Sequence, residues 1–199
     1  MIYCFFSKAF HGILSKGRTM KVQVIYSSLT GHIQKVANAI FNGINAEEKT
    51  IHNLKDGALV LDGDIILLGY WGISGNPNDE MKQFMQTIKG KAVGVFCTLG
   101  YYADSAHARD TVESGLNLVK NHNDVIGSFV CNSAVAQNLK EGQGKKEGQI
   151  PTEQKELRWE MIKDHPTNAE CALAAERFNE RITLYKRCKE LNIDFLSVL

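Results

Sequence analysis

The stretch "VIYSSLTGHIQKVA", residues 24–37, begins apolar, breaks into small and polar residues, and resumes with apolar positions at helical spacing. Ile33, Val36, Ala37, Ile40 and Ile44 fall on the i, i+3, i+4, i+7, i+11 steps of a single helix face. A strand, a turn and a helix are expected in that order. Ser27, Ser28, Leu29, Thr30, Gly31 and His32 then bring backbone N–H groups, with hydroxyls beside them, to one point at a helix start. That is the geometry of an anion site. Gly31 lets the backbone approach a ligand closely. The same residues also suit an ordinary capped turn, because Ser and Thr are common caps.

Outward from this stretch, five runs read as strands: "KVQVIY" (21–26), "EKTIHNL" (48–54), "DIILLGY" (64–70), "KAVGVFC" (91–97) and "VIGSFVC" (125–131). Most are continuous apolar runs, as expected of parallel strands buried on both faces. Helical stripes lie between and after them. They comprise Met81, Phe84, Met85 and Ile88; Ala108, Val112, Leu116 and Val119; and Cys171, Ala175, Phe178, Ile182 and Tyr185. Thr167 and Glu170 have the spacing of a capping box at the start of the last helix. Alternating strands and helices imply right-handed βαβ crossovers, hence a doubly wound, five-stranded parallel α/β sheet of order 2-1-3-4-5 with helices on both faces.

Two connections depart from that plan. "KDGALVLDG" (55–63) leaves little room for a full helix. Residues 132–166, about 35 in all, are too many for a plain connection. In that extended insertion "EGQGKKEGQ" (141–149) reads as a mobile surface loop and "TEQKELRWEMIK" (152–163) as a short helix. A single domain is expected over residues 20–187, with 188–199 as a tail. Residues 1–19 precede Met20 and the first strand, and are expected to be an extension outside the fold proper. Their apolar stretch is interrupted by Lys8 and His11 and makes a poor signal peptide.

Charge is balanced, with 23 basic against 22 acidic residues, so composition supplies no footprint for nucleic acid. No apolar run reaches the ~20 residues of a membrane span. The five cysteines are odd in number and widely spread, with neither a CxxC pair nor a zinc pattern. Reduced, mostly buried thiols in a cytoplasmic protein without a metal are expected.

In an open parallel sheet the ligand sits outside the carboxyl ends of the strands, where the winding reverses. The loops there read "SSLTGHI" (27–33), "WGISGNPND" (71–79) and "TLGYYAD" (98–104). Trp71, Tyr101 and Tyr102 would flank the crevice whose floor is the anion loop, although each ring alone could simply pack on a helix. An anion site beside flat aromatic walls describes a phosphorylated planar cofactor.

From Met20 to about Arg187 the chain resembles the flavodoxin-like, FMN-binding proteins. "YSSLTGHIQKVA" is similar to the flavodoxin phosphate loop S/T-x-T-G-x-T, with Ser28, Thr30 and Gly31 matching. "DIILLGYWG" and "FCTLGYYAD" resemble the segments that cover the two faces of the flavin ring. The resemblance implies that Ser28, Leu29, Thr30, Gly31, His32 and Ile33 hold the FMN phosphate. It implies that Trp71 and one of Tyr101 or Tyr102 stack on the ring, with Gly72 and Asp104 in the same loops, and that Thr98, Leu99 and Gly100 offer backbone groups to the ring edge. The loop departs from the family at His32, which replaces a common Asn, and at Ile33, which replaces a Thr. One hydroxyl donor, worth ~1 kcal/mol, is missing. Nor is the chain acidic, as flavodoxins usually are.

The function this resemblance implies is electron transfer between a reductase and an acceptor enzyme through non-covalently bound FMN. No catalytic constellation accompanies it: His107, Arg109 and Asp110 share a helix at a spacing that does not converge. Two alternatives stand beside it. One is an FMN-dependent NAD(P)H:quinone-type oxidoreductase, for which the long insertion with Lys140, Lys145, Lys146 and Arg158 could build a substrate pocket. The other is a flavin-free binding module of the same fold.

Overall fold

The computed structural model describes residues 19–144 and 153–199. The expected extension, Cys4 included, lies outside the described residues except for Thr19, and so does most of the expected loop at 141–149. Strands β1 (Val22–Tyr26), β2 (Lys49–Asn53), β3 (Ile65–Ile73), β5 (Ala92–Leu99) and β6 (Asp124–Asn132) form a parallel sheet in the order β2-β1-β3-β5-β6. A two-residue strand, β4 (Asn76–Pro77), pairs antiparallel with the end of β3. With β4 set aside, the order is the 2-1-3-4-5 winding expected from the sequence.

Each central strand divides its side chains between two cores. Val24, Tyr26, Ile65, Leu67 and Phe96 face helices α1 (His32–Gly43) and α6 (Asn168–Leu191). Ile25, Ile66, Leu68, Tyr70, Val93 and Val95 face α2 (Asp79–Met85) and α3 (Ala106–Val119). Burial on both faces is why these strands read as unbroken apolar runs. Helices α1 and α6 approach so closely that a Cβ on Gly43 would lie 2.7 Å from the Cβ of Ala175. The capping box on α6 forms: Thr167 Oγ1 accepts from the Glu170 amide at 3.2 Å, and the Glu170 carboxylate accepts from the Thr167 amide at 2.6 Å.

Several local expectations give way to structure. Trp71 lies inside β3, paired with Thr98, and Thr98 and Leu99 lie inside β5. The cause is the β3–β4 hairpin, whose turn residues Ser74 and Gly75 both take positive φ, 49° and 76°. This hairpin carries β3 beyond the rest of the sheet. The glycine-rich stretch expected as a loop begins in a helix, α4 (Gln137–Gly144), and the expected short helix is α5 (Glu153–Met161). Helix α6 runs through Leu191, and Cys188 and Phe195 are buried, so the residues expected as a tail start within a packed helix. Only a 3-10 turn, Leu54–Asp56, follows β2 before β3. No helix among the described residues is long and apolar enough to cross a membrane.

Where β5 passes under α6, a Cβ on Gly94 would lie 2.6 Å from Cε1 of the fully buried Phe178 and 2.8 Å from Leu67 Cδ2. Gly94→Ala is expected to destabilise the domain by ~1–3 kcal/mol through overpacking. Urea unfolding monitored by circular dichroism should show this as a lower midpoint at unchanged slope.

Candidate functional site

The first loop is built on Ser27, which is buried. Its amide donates to the Gly69 carbonyl at 3.0 Å, its hydroxyl donates to Glu80 Oε2 at 2.6 Å, and the same Oγ accepts from Asn78 Nδ2 at 2.9 Å. These bonds fasten the end of β1 to β3 and to the start of α2. Beyond them the Ser28 Oγ accepts from the Gly31 amide at 3.0 Å, and Thr30 Oγ1 lies 3.0 Å from His32 Nδ1. Gly31 takes φ 87° at the N-cap of α1, a left-handed conformation that other residues adopt only with strain. No side chain caps the helix. The first-turn amides of α1 therefore keep their donors free for a ligand.

The nearest cation does not enter the loop. Lys35 Nζ donates to the Pro166 carbonyl at 2.6 Å. His32 is held below the ordinary histidine range, first by burial and then by the Lys35 charge. Its imidazole is consequently neutral near pH 7 and offers a neutral ring instead of a charge.

Ser28, Leu29, Thr30, His32 and Ile33 form one side of a cavity of about 380 Å³ at the carboxyl ends of β1, β3 and β5. Trp71, Gly72, Ile73 and Ser74 of the hairpin form a second side, and Thr98, Leu99, Gly100 and Tyr101 a third. This size falls within the range of small-molecule and cofactor pockets. Gly31 shapes the loop from behind, and the Ile33 side chain belongs to the core. The Leu99 carbonyl already accepts from the Ser133 amide at 2.9 Å. Tyr102 is exposed and stands outside the cavity wall, as does Asp104, whose carbonyl accepts from Arg109 Nη1 at 2.8 Å.

The fourth side comes from the extended insertion: Ser133 to Ala136, Leu139 of α4, and Lys155, Arg158 and Trp159 of α5, with His107 of α3 beside them. Of the cations expected to build a pocket there, Arg158 lines the cavity, Lys140 stands outside the lining, and Lys145 and Lys146 lie outside the described residues. The segment is anchored at both ends. The Ala134 amide donates to the His165 carbonyl at 3.0 Å, and Gly100 sits so close to Val135 that an added Cβ would come within 2.5 Å of its Cγ2. The Arg158 guanidinium carbon lies 3.8 Å over the Tyr101 ring centre, whose other close neighbour is the His107 ring at 4.5 Å. The excess length of 132–166 and the cation Arg158 were the signals for this side, and Trp159 carried none. Among the described residues no group of metal-ligating side chains is assembled.

A family model described as a flavodoxin domain matches residues 23–179. The chain belongs to the flavodoxin family. It is 32% identical over 124 residues to the flavodoxin-like domain-containing protein BilS of Clostridioides difficile, an alignment covering 61% of this chain and 70% of that protein. It superposes on a Fusobacterium nucleatum flavodoxin bound to flavin mononucleotide with a TM-score of 0.51 at 13% identity, covering 84% of this chain and 98% of the other. On the flavodiiron core of Flv1 from Synechocystis the TM-score is 0.58 at 14% identity, covering 86% of this chain but only 37% of that one. At such identities the superpositions speak for the flavodoxin fold alone.

For this flavodoxin-family loop the depressed His32 pKa has a definite consequence. The unfolded state takes up the imidazole proton more readily than the folded state, so the stability His32 contributes is present above its unfolded pKa, ~6.5, and is lost as pH falls through the folded value. An NMR titration should place the His32 midpoint below ~6.5, and His32→Gln should flatten the loss of stability between about pH 7 and 5. A midpoint at or above the ordinary value would contradict the burial assigned here.

Proposed function

We propose that this chain binds FMN non-covalently in the cavity and carries electrons between a reductase and an acceptor enzyme. The observation that carries this reading is the uncapped amino end of α1, which opens onto the same cavity as Trp71 and Tyr101. Family membership and the FMN-bound relative support the cofactor. The residues present fit the group: free amides and hydroxyls for a phosphate, ring faces for a planar system, and no Asp or Glu among the described lining residues to repel a dianion.

In this reading Ser28, Leu29, Thr30, Gly31, His32 and Ile33 cradle the phosphate. Trp71 and Tyr101 cover the ring, Gly72 lets it approach the backbone, and Thr98 and Gly100 meet its edge. Tyr102 and Asp104 stand on the outer rim. FMN, when bound, takes up and gives back electrons one or two at a time. The protein contributes binding, orientation and exclusion of water, and a carrier requires no acid, base or nucleophile of its own. Four buried, free thiols among the described residues fit the reducing cytoplasm to which we assign the protein.

The fourth wall favours a second reading, an FMN-dependent oxidoreductase acting on its own substrate. Oxidation of NAD(P)H by the purified protein discriminates: a carrier is expected to show almost none until a reductase is added, whereas an oxidoreductase turns over alone. For the cofactor itself, the purified protein should show flavin absorption in the blue. Ser28→Ala is expected to weaken FMN binding about fivefold, the worth of one neutral hydrogen bond. Thr30→Pro should abolish binding by deleting an amide from the cradle. A colourless protein that takes up no added FMN would remove this reading.

A further inference from the structure

The cavity carries more attraction for negative charge than one FMN requires. Of the described residues that line it, none is Asp or Glu, and two are full cations, Lys155 and Arg158. These lie at i and i+3 on α5, hence on one face of that helix. Neither makes a hydrogen bond or an ion pair through its side chain with any other described residue. The Arg158 guanidinium carbon lies 3.8 Å over the Tyr101 ring centre, and its Nε is buried without a hydrogen-bond partner. Lys140 stands nearby, its Nζ 5.6 Å from the ring centre of Trp159, the residue that follows Arg158.

A guanidinium stacked on an aromatic ring has its plane fixed and its edge free. That edge is a fork of N–H donors suited to the two oxygens of a carboxylate or to a phosphate. Leaving it unpaired in a partly buried wall has a cost that a ligand would relieve. The cofactor phosphate has its own neutral cradle at the end of β1, whereas Arg158 packs on Tyr101 in the loop after β5, two strands away in the sheet.

We infer that Lys155 and Arg158 form an anion subsite for a second ligand, a small molecule bearing a carboxylate or a phosphate ester, held beside the flavin under the α4–α5 wall. The inference rests on the FMN reading for its place beside the flavin and on the cavity alone for its chemistry. Lys155 supplies a point charge that draws the anion in, and Arg158 orients it.

Both tryptophans of the chain, Trp71 and Trp159, line this cavity, so intrinsic fluorescence reports on it with or without flavin. The test titrates the full chain with benzoate and with phenyl phosphate, following tryptophan fluorescence in the flavin-free protein and the flavin spectrum after FMN is added. Saturable binding that weakens with salt is expected for at least one probe, and the tighter of the two identifies the anionic group. Arg158→Gln should weaken it by about tenfold or more, since a charged donor pair is lost. Arg158→Lys should retain part of the affinity, and Lys155→Gln should weaken binding less than Arg158→Gln. FMN affinity should stay within about twofold in Lys155→Gln, because a neutral cradle holds the phosphate, and should fall less than probe affinity in the two Arg158 variants, whose side chain packs on Tyr101. Absence of saturable binding by either probe would overturn the subsite, and so would an Arg158→Gln variant that loses FMN as severely as the probe. A protein that binds the probes but takes up no FMN would sink the cofactor reading and leave the subsite standing.

Discussion

Gly31 turns the chain from β1 into α1 at φ 87°, and at that point no side chain reaches back to cap the helix. The donors that a cap would have consumed remain available, and they lie where β1 delivers them, at the point of reversal in a doubly wound sheet. The turn would be loose if it depended on its own residues. It is stiffened from below by Ser27, which joins Gly69, Asn78 and Glu80 in one hydrogen-bonded knot. This knot locks the floor of the cavity to the strand that carries Trp71, so that the anion loop and the first aromatic wall hold a fixed distance.

What was legible in the sequence follows from period and burial. Strands with one core on each face cannot hide their apolar character, and the stripes of α1, α2, α3 and α6 record which side each helix covers. The phosphate-loop pattern was legible because its glycine is required by backbone conformation, not by packing. The hairpin at Trp71 to Pro77 was not, since polar and glycine residues look alike in a loop and in a tight antiparallel turn. The pairings of Gly72 with Pro77 and of Ile73 with Asn76 distinguish them. Helix α4 was hidden by its glycines, Gly142 and Gly144, which disfavour a helix on local propensity.

The fourth wall illustrates the limit more sharply. Arg158 meets Tyr101 across the cavity through a segment far along the chain, and nothing in the local pattern of α5 announces that partner. The length of residues 132–166 did announce that something had been added. The wall also alters what the family resemblance can carry. Lys155 and Arg158 put positive charge on the cavity wall, so the acidic docking ring expected from the family resemblance does not carry over to this wall.

The thiols bear on where redox chemistry can occur. Cys97 and Cys131 stand on neighbouring strands, β5 and β6, yet their environment suppresses the reactive thiolate. Burial pushes the Cys97 thiol up to about 12, and burial with the nearby Glu170 charge raises Cys131 as well. Cys171 is raised chiefly by burial. At neutral pH these groups are small hydrophobes that fill the core. A thiol exchange mechanism would need an exposed sulfur with a lowered pKa, and Cys97, Cys131 and Cys171 have the opposite. Burial thus disfavours thiolate chemistry at Cys97, Cys131 and Cys171, whereas the amino end of α1, which no side chain caps, opens onto the cavity.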